Sequence, residues 1–191
     1  FAVSSNFTSK DGHYKGLLTD EAASSWATQV GYTKPQYSIS AILNNKYGGW
    51  TDTSYFTSDD GALRPGDGSS TNVGYRAWWR PEETGTPIPS ISLGYDTSTT
   101  NADTDDHTSA YFIGLNWQDI ITADDRIGLA MGQPQKREDD QVDPFLYELY
   151  YEFKVNDALT LTPTIFGGVH EDANDNETDM KGYVINTTFK F

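Results

Sequence analysis

Arg76, Trp78 and Arg80 stand at alternate positions of one short stretch, so in an extended chain all three project to the same side. Two fixed positive charges around an aromatic face attract anions and orient water in a narrow channel, and the indole offers a sugar ring a stacking surface. The competing reading is structural, with the arginines tied to Glu148, Glu152 or other acids of the same face. Those two carboxylates alternate with Tyr150 and Lys154 on a second such stretch. Four residues apart on a strand they are roughly 13 Å from one another, beyond the spacing a glycosidase pair uses. His13, His107 and His170 all read as loop residues, with no Ser, Asp and His order that makes a triad. Asp172, Asn174 and Asn176 open like a calcium loop, but Glu177 and Tyr183 stand where that loop needs Gly and Glu. The residues point to no enzyme, no metal and no cofactor. Acidic loops of this kind are solvated, and their field enriches cations nearby.

These side chains need strands to carry them, and alternation supplies the strands. In the last stretch Tyr183, Ile185, Thr187, Phe189 and Phe191 are assigned to one face, with Lys181, Asn186, Thr188 and Lys190 opposite. About ten alternating residues are what a tilted strand needs to cross hydrocarbon. Similar patterns run through Phe1 to Ser9, Trp26 to Tyr32, Tyr37 to Leu43, Val73 to Trp79, Pro89 to Tyr95, Tyr111 to Trp117, Ile127 to Met131, Tyr147 to Phe153 and Leu159 to Ile165. Tyr111, Ile113, Leu115 and Trp117 put an aromatic at each end of an aliphatic pair, as membrane barrels do on the lipid side. Pro163 removes a ladder donor, so a bulge or strand end is expected near it.

Three regularities join the segments. Outward positions carry no charge in these registers, whereas Arg76, Arg80, Glu148, Glu152, Lys154 and Lys190 point inward. Short turns near residues 33, 83, 122 and 157 alternate with long loops near 15, 57, 101, 138 and 175. Acidic residues collect in the long loops. Up-and-down membrane barrels have this organisation. The expected fold is therefore all-β, an antiparallel up-and-down transmembrane barrel, with residues 1–191 giving about ten strands of one domain. Arg76, Trp78, Arg80, Asn116, Glu148, Tyr150, Glu152, Lys154 and Lys190 would line the lumen. Trp26, Tyr32, Trp79, Tyr95, Tyr111, Trp117, Tyr151, Phe153, Phe189 and Phe191 would form the membrane-facing girdle.

Composition agrees. Hydrophobic residues make up 36% of the chain and mean hydropathy is negative, which excludes a long apolar helix but not a barrel that exposes apolar groups at every second position. A net charge of -15, with 13 Lys and Arg against 28 Asp and Glu, argues against nucleic acid. Zero cysteines exclude disulfide frameworks and thiol chemistry. The opening FAVSSNFTS already alternates and reads as part of a longer protein. A different class, a secreted acidic β-sandwich acting as an adhesin or carbohydrate-binding module, would bury Tyr111, Ile113, Leu115 and Trp117 between two sheets.

The stretches GYRAWWRPEETGTPIPSISLGYD, FIGLNWQD, RIGLAMGQPQ, YYEFKVNDALTLTPTIF and INTTFKF resemble the carboxy-terminal half of cyanobacterial outer-membrane porins. These are grouped with carbohydrate-selective porins and often labelled iron-uptake porins. The resemblance implies an outer-membrane location and passive diffusion of inorganic ions and small hydrophilic solutes, or of sugars. It also implies a homotrimer, further strands and a cell-wall-binding domain upstream, and a final strand read by the barrel-assembly machinery.

Overall fold

The computed structural model describes residues 1–17, 19, 21–50, 68–100, 107–138, 140–171 and 176–190. Its strands are β1 (Ala2–Ser9), β2 (Ser24–Thr33), β3 (Tyr37–Tyr47), β4 (Ser70–Trp79), β5 (Ser90–Thr100), β6 (His107–Gln118), β7 (Arg126–Arg137), β8 (Phe145–Asn156), β9 (Leu159–Glu171) and β10 (Glu177–Phe189). All ten form one sheet, in chain order, with antiparallel neighbours throughout. The sheet is open, since β1 and β10 are not paired with each other. One helical turn is present among the described residues: α1 (Gly12–Lys15), in the stretch between β1 and β2 that reads from sequence as a polar loop.

No second sheet covers either face among the described residues. Ala22 and Val142 are the only buried hydrophobic residues there, whereas Tyr111 and Ile113 remain 40% and 38% exposed. A sandwich needs two inner faces packed about 10 Å apart, and the described strands do not form that arrangement.

Register sorts the side chains into two sets. On β4, Tyr75, Ala77 and Trp79 share a face with their partners Tyr95, Leu93 and Ile91 on β5, while Gly74, Arg76 and Trp78 share the other with Asp96, Gly94 and Ser92. The sorting carries across the sheet, giving one apolar row through Tyr37, Trp79, Ile91, Leu115, Leu129, Leu149, Ile165 and Tyr183.

Several expectations need correction. Lys181 pairs with Gly167 and alternates in phase with Tyr183, so it lies on the apolar face, as does Asp179. The rule that no outward position carries a charge therefore holds over the apolar band but not at the loop-proximal ends of β7, β9 and β10, where Lys136, Glu171 and Glu177 also fall on the outward side. Strands run further toward the acidic loops than hydrophobic alternation shows: β5 continues through Asp96 to Thr100, and β7 through Gln133 to Arg137. Serine and threonine on both faces of β5, and polar and charged residues on β7, keep the strands going while hiding the period. With those residues in strands, the loops after β5, β7 and β9 shorten to six, seven and five residues, against three, ten, seven and two at the other end. The length contrast survives only in the connections after β1 and β3. His13 sits in α1, His107 begins β6 and His170 is within β9, so none of the three is a loop residue.

Pro163 stays in register with Ile185 on β10. Toward β8 the pairs Tyr151–Pro163 and Glu152–Thr162 drop out of the ladder without any slip. A register shift falls instead opposite Ser109 to Tyr111, where β7 carries Pro134, and a second closes the β8–β9 hairpin between Lys154 and Asn156. Proline's missing N–H accounts for both the gap and the bulge.

Candidate functional site

The charged face is built around Arg76. Its Nη2 lies 2.7 Å from Asp96 Oδ2, and Nη1 donates to the Tyr75 carbonyl at 2.8 Å. The guanidinium also sits 5.7 Å from the centre of the Phe112 ring, two strands away. That reach depends on Gly94 in the intervening strand, where a Cβ would fall 2.1 Å from the ring's edge. Tyr150 is placed the same way. Its ring crosses Gly128, whose Cβ would meet it at 2.1 Å, and its hydroxyl accepts from Asn116 Nδ2 at 3.0 Å. Side chains on this face thus bridge alternate strands over glycines.

Arg80 follows β4 directly. Its Nε donates to the Pro35 carbonyl at 2.8 Å and its guanidinium stands 5.6 Å from the Trp78 ring centre. Neither arginine meets Glu148 or Glu152, so the structural tie expected for them exists at Arg76 but with Asp96. Glu152 is 3.9 Å from Arg126, and Lys154 pairs with Asp124 at 2.8 Å. Lys190 lies just past β10, beside Lys154, Thr160 and Thr188 in a shallow polar hollow. All nine residues read as lumen-lining fall on this face or at its short-turn end. The sequence reading missed Asp96, which it left in an acidic loop, and the acid and base at Asp124 and Arg126. Asp96 was findable, because it extends the Ser90, Ser92, Gly94 alternation by one step.

At the short-turn end, Asp125 closes the β6–β7 connection. It is 1% exposed and accepts the amides of Ile120, Ile121 and Thr122 at 2.9, 3.0 and 2.8 Å and the Tyr151 hydroxyl at 3.1 Å. Burial pushes its carboxyl up, but the Thr122, Ile120 and Ile121 amides and Tyr151 outweigh that and hold it below the ordinary carboxylate range. A depressed folded value gives stability that is complete above the unfolded value of about 3.9 and is lost as pH falls through the lower folded one. Amide hydrogen exchange at Ile120 to Thr122 should therefore stay slow at neutral pH and accelerate only well below pH 4, and Asp125→Asn should make it fast at neutral pH too.

The opposite face carries the girdle residues. Trp26, Tyr32, Trp79, Tyr95, Tyr111 and Phe189 are all exposed at more than a third of their surface, and Tyr75, Tyr95 and Tyr111 form a row over three strands. Their polar tips are partly engaged at the strand ends: Trp26 Nε1 donates to Ser5 Oγ at 2.8 Å, and Trp117 Nε1 to the Pro87 carbonyl at 2.9 Å. Tyr151 and Phe153 stack at 5.3 Å. Phe191, with Asp172 and Asn174 of the calcium-like stretch, lies outside the described residues.

No family model, curated protein or solved structure matches this chain.

Proposed function

We propose that the chain is part of the wall of an outer-membrane porin, a water-filled channel for passive diffusion of inorganic ions and small hydrophilic solutes. The observation that carries this reading is the single-layered sheet. Its tyrosines, tryptophans and a continuous aliphatic band lie on one face with no protein layer over them among the described residues, and the band charges lie on the other, interspersed there with Phe112, Leu146 and Phe166. Exposing such a face to water costs about 25 cal/mol per Å², and hydrocarbon is the solvent that removes the cost while tolerating tyrosine and tryptophan at its borders. The polar face then lines water, and the open edges are paired in the assembled barrel. Assembly as a homotrimer and recognition of β10 by the barrel-assembly machinery belong to the same proposal, on the strength of the sequence resemblance.

A sugar-selective channel is the second reading within the class. It draws on Trp78 and Tyr150, but Arg80 stands against one ring and Gly128 underlies the other, which leaves less free stacking surface. Purified full-length protein in planar bilayers should give stepwise conductance in KCl that added sugars leave unchanged. Sugar-dependent closure would transfer the case to the selective channel, and protein that inserts without conducting would remove both.

A further inference from the structure

The polar face of the wall holds five charges level with the apolar band among the described residues, namely Arg76, Asp96, Arg126, Glu148 and Glu152. Arg76 and Asp96 cancel as a 2.7 Å pair. Glu152 faces Arg126 at 3.9 Å. Glu148 is different. Its cross-strand partners are Ala130 and Phe166, its neighbours on the same side of β8 are Leu146 and Tyr150, and no ion pair or hydrogen bond engages it among the described residues. It is also exposed. Arg80 and Lys190, which meet no carboxylate among the described residues, lie past the ends of β4 and β10.

We infer that Glu148 is the residue that sets charge selectivity in this wall, giving a preference for cations, and that the arginine at position 76 is electrically silent. The inference rests on the channel reading above. A matched pair produces a field that falls away faster than that of a lone charge, so a passing ion feels the unpaired carboxylate. At about 6 Å in water one such charge changes the local concentration of a monovalent ion roughly threefold, and salt screens the effect over about 10 Å at 0.1 M.

The test is the reversal potential of the full-length protein in planar bilayers under a tenfold KCl gradient. Glu148→Gln keeps side-chain shape and breaks no contact, and it should lower the cation-to-anion permeability ratio by roughly tenfold unscreened and about three- to fourfold at 0.1 M salt, while single-channel conductance persists. Asp96→Asn should shift the ratio the same way by freeing Arg76, and Arg76→Gln should shift it oppositely by freeing Asp96. If Glu148→Gln channels conduct with an unchanged ratio, the assignment of Glu148 is overturned and the channel stands. If the unsubstituted protein inserts and gives no steps, the channel reading falls and takes the assignment with it.

Discussion

Leu129→Arg should cost about 2–4 kcal/mol of folding stability in phospholipid vesicles, whereas Ala130→Arg, one residue along, should cost little. Leu129 sits mid-strand between Leu115 and Leu149 on the apolar face, so a guanidinium there must either enter hydrocarbon or drag water and headgroups toward it. Ala130 is exposed on the other face between Gly114 and Glu148, where an arginine meets water and a carboxylate. Denaturant unfolding from vesicles, with both variants in one series, measures the difference directly. Equal costs, or the reverse order, would mean that the two faces have been assigned to the wrong solvents, and the porin proposal would not survive.

The second large effect is expected at Gly168, within β9. Its φ of +151 lies outside what a residue with a side chain readily adopts. A Cβ there would also fall 2.0 Å from the Phe145 carbonyl oxygen and 2.8 Å from the Leu146 Cα. Both obstacles are backbone of the neighbouring strand, so no rotamer change relieves them. Gly168→Ala should lower stability by about 2–3 kcal/mol through separation of β8 and β9 near their loop ends. Gly114→Ala is the matched control, because its nearest atom would be the Ser92 Cβ at an ordinary 3.6 Å. Thermal unfolding in detergent should separate the two variants, and a Gly168→Ala protein as stable as the control would show that the ladder at this point is looser than described.

How much of this could be read beforehand depended on contrast between the faces. Tyr111, Ile113, Leu115 and Trp117 alternate with Ala110, Phe112, Gly114 and Asn116, and that contrast gave the strand, its register and its apolar side correctly. Beyond the band the contrast vanishes. Thr97 to Thr100 can occupy either face at similar cost, so periodicity ended the strand early and left Asp96 among the loop acids, which hid the partner of Arg76. Lys181 is a different case: its spacing of two from Tyr183 already puts it on the Tyr183 face, against its assignment to the opposite one, and its pairing with Gly167 agrees. Asp125 could not be recognised at all, since a turn aspartate in solvent and one that gathers three amides have the same sequence signature.

The proline near the end of the chain shows a subtler limit. Loss of one donor at Pro163 predicts a bulge or a strand end, but β9 runs through it with neither, because a sheet can absorb the loss either by inserting a residue or by leaving two pairs unmade. Here Pro163 takes the second course and Pro134 accompanies the first. The choice depends on whether the neighbouring strand must stay in phase. On β9 the alternation of Leu159, Leu161 and Ile165 against Thr160, Thr162 and Thr164 leaves no room for a slip, which would turn every side chain over.

A wall that encloses almost none of its own apolar surface has an unusual thermodynamic signature. Unfolding of a water-soluble domain exposes shielded hydrocarbon and raises the heat capacity in proportion, but with Ala22 and Val142 the buried hydrophobic residues among those described, a chain seated in a bilayer as proposed would have little to expose beyond what the lipid already covers. Its transition temperature is then not a constant of the sequence. It should move with acyl-chain length and headgroup, since under this reading the larger part of the stabilising contacts belongs to molecules outside the polypeptide.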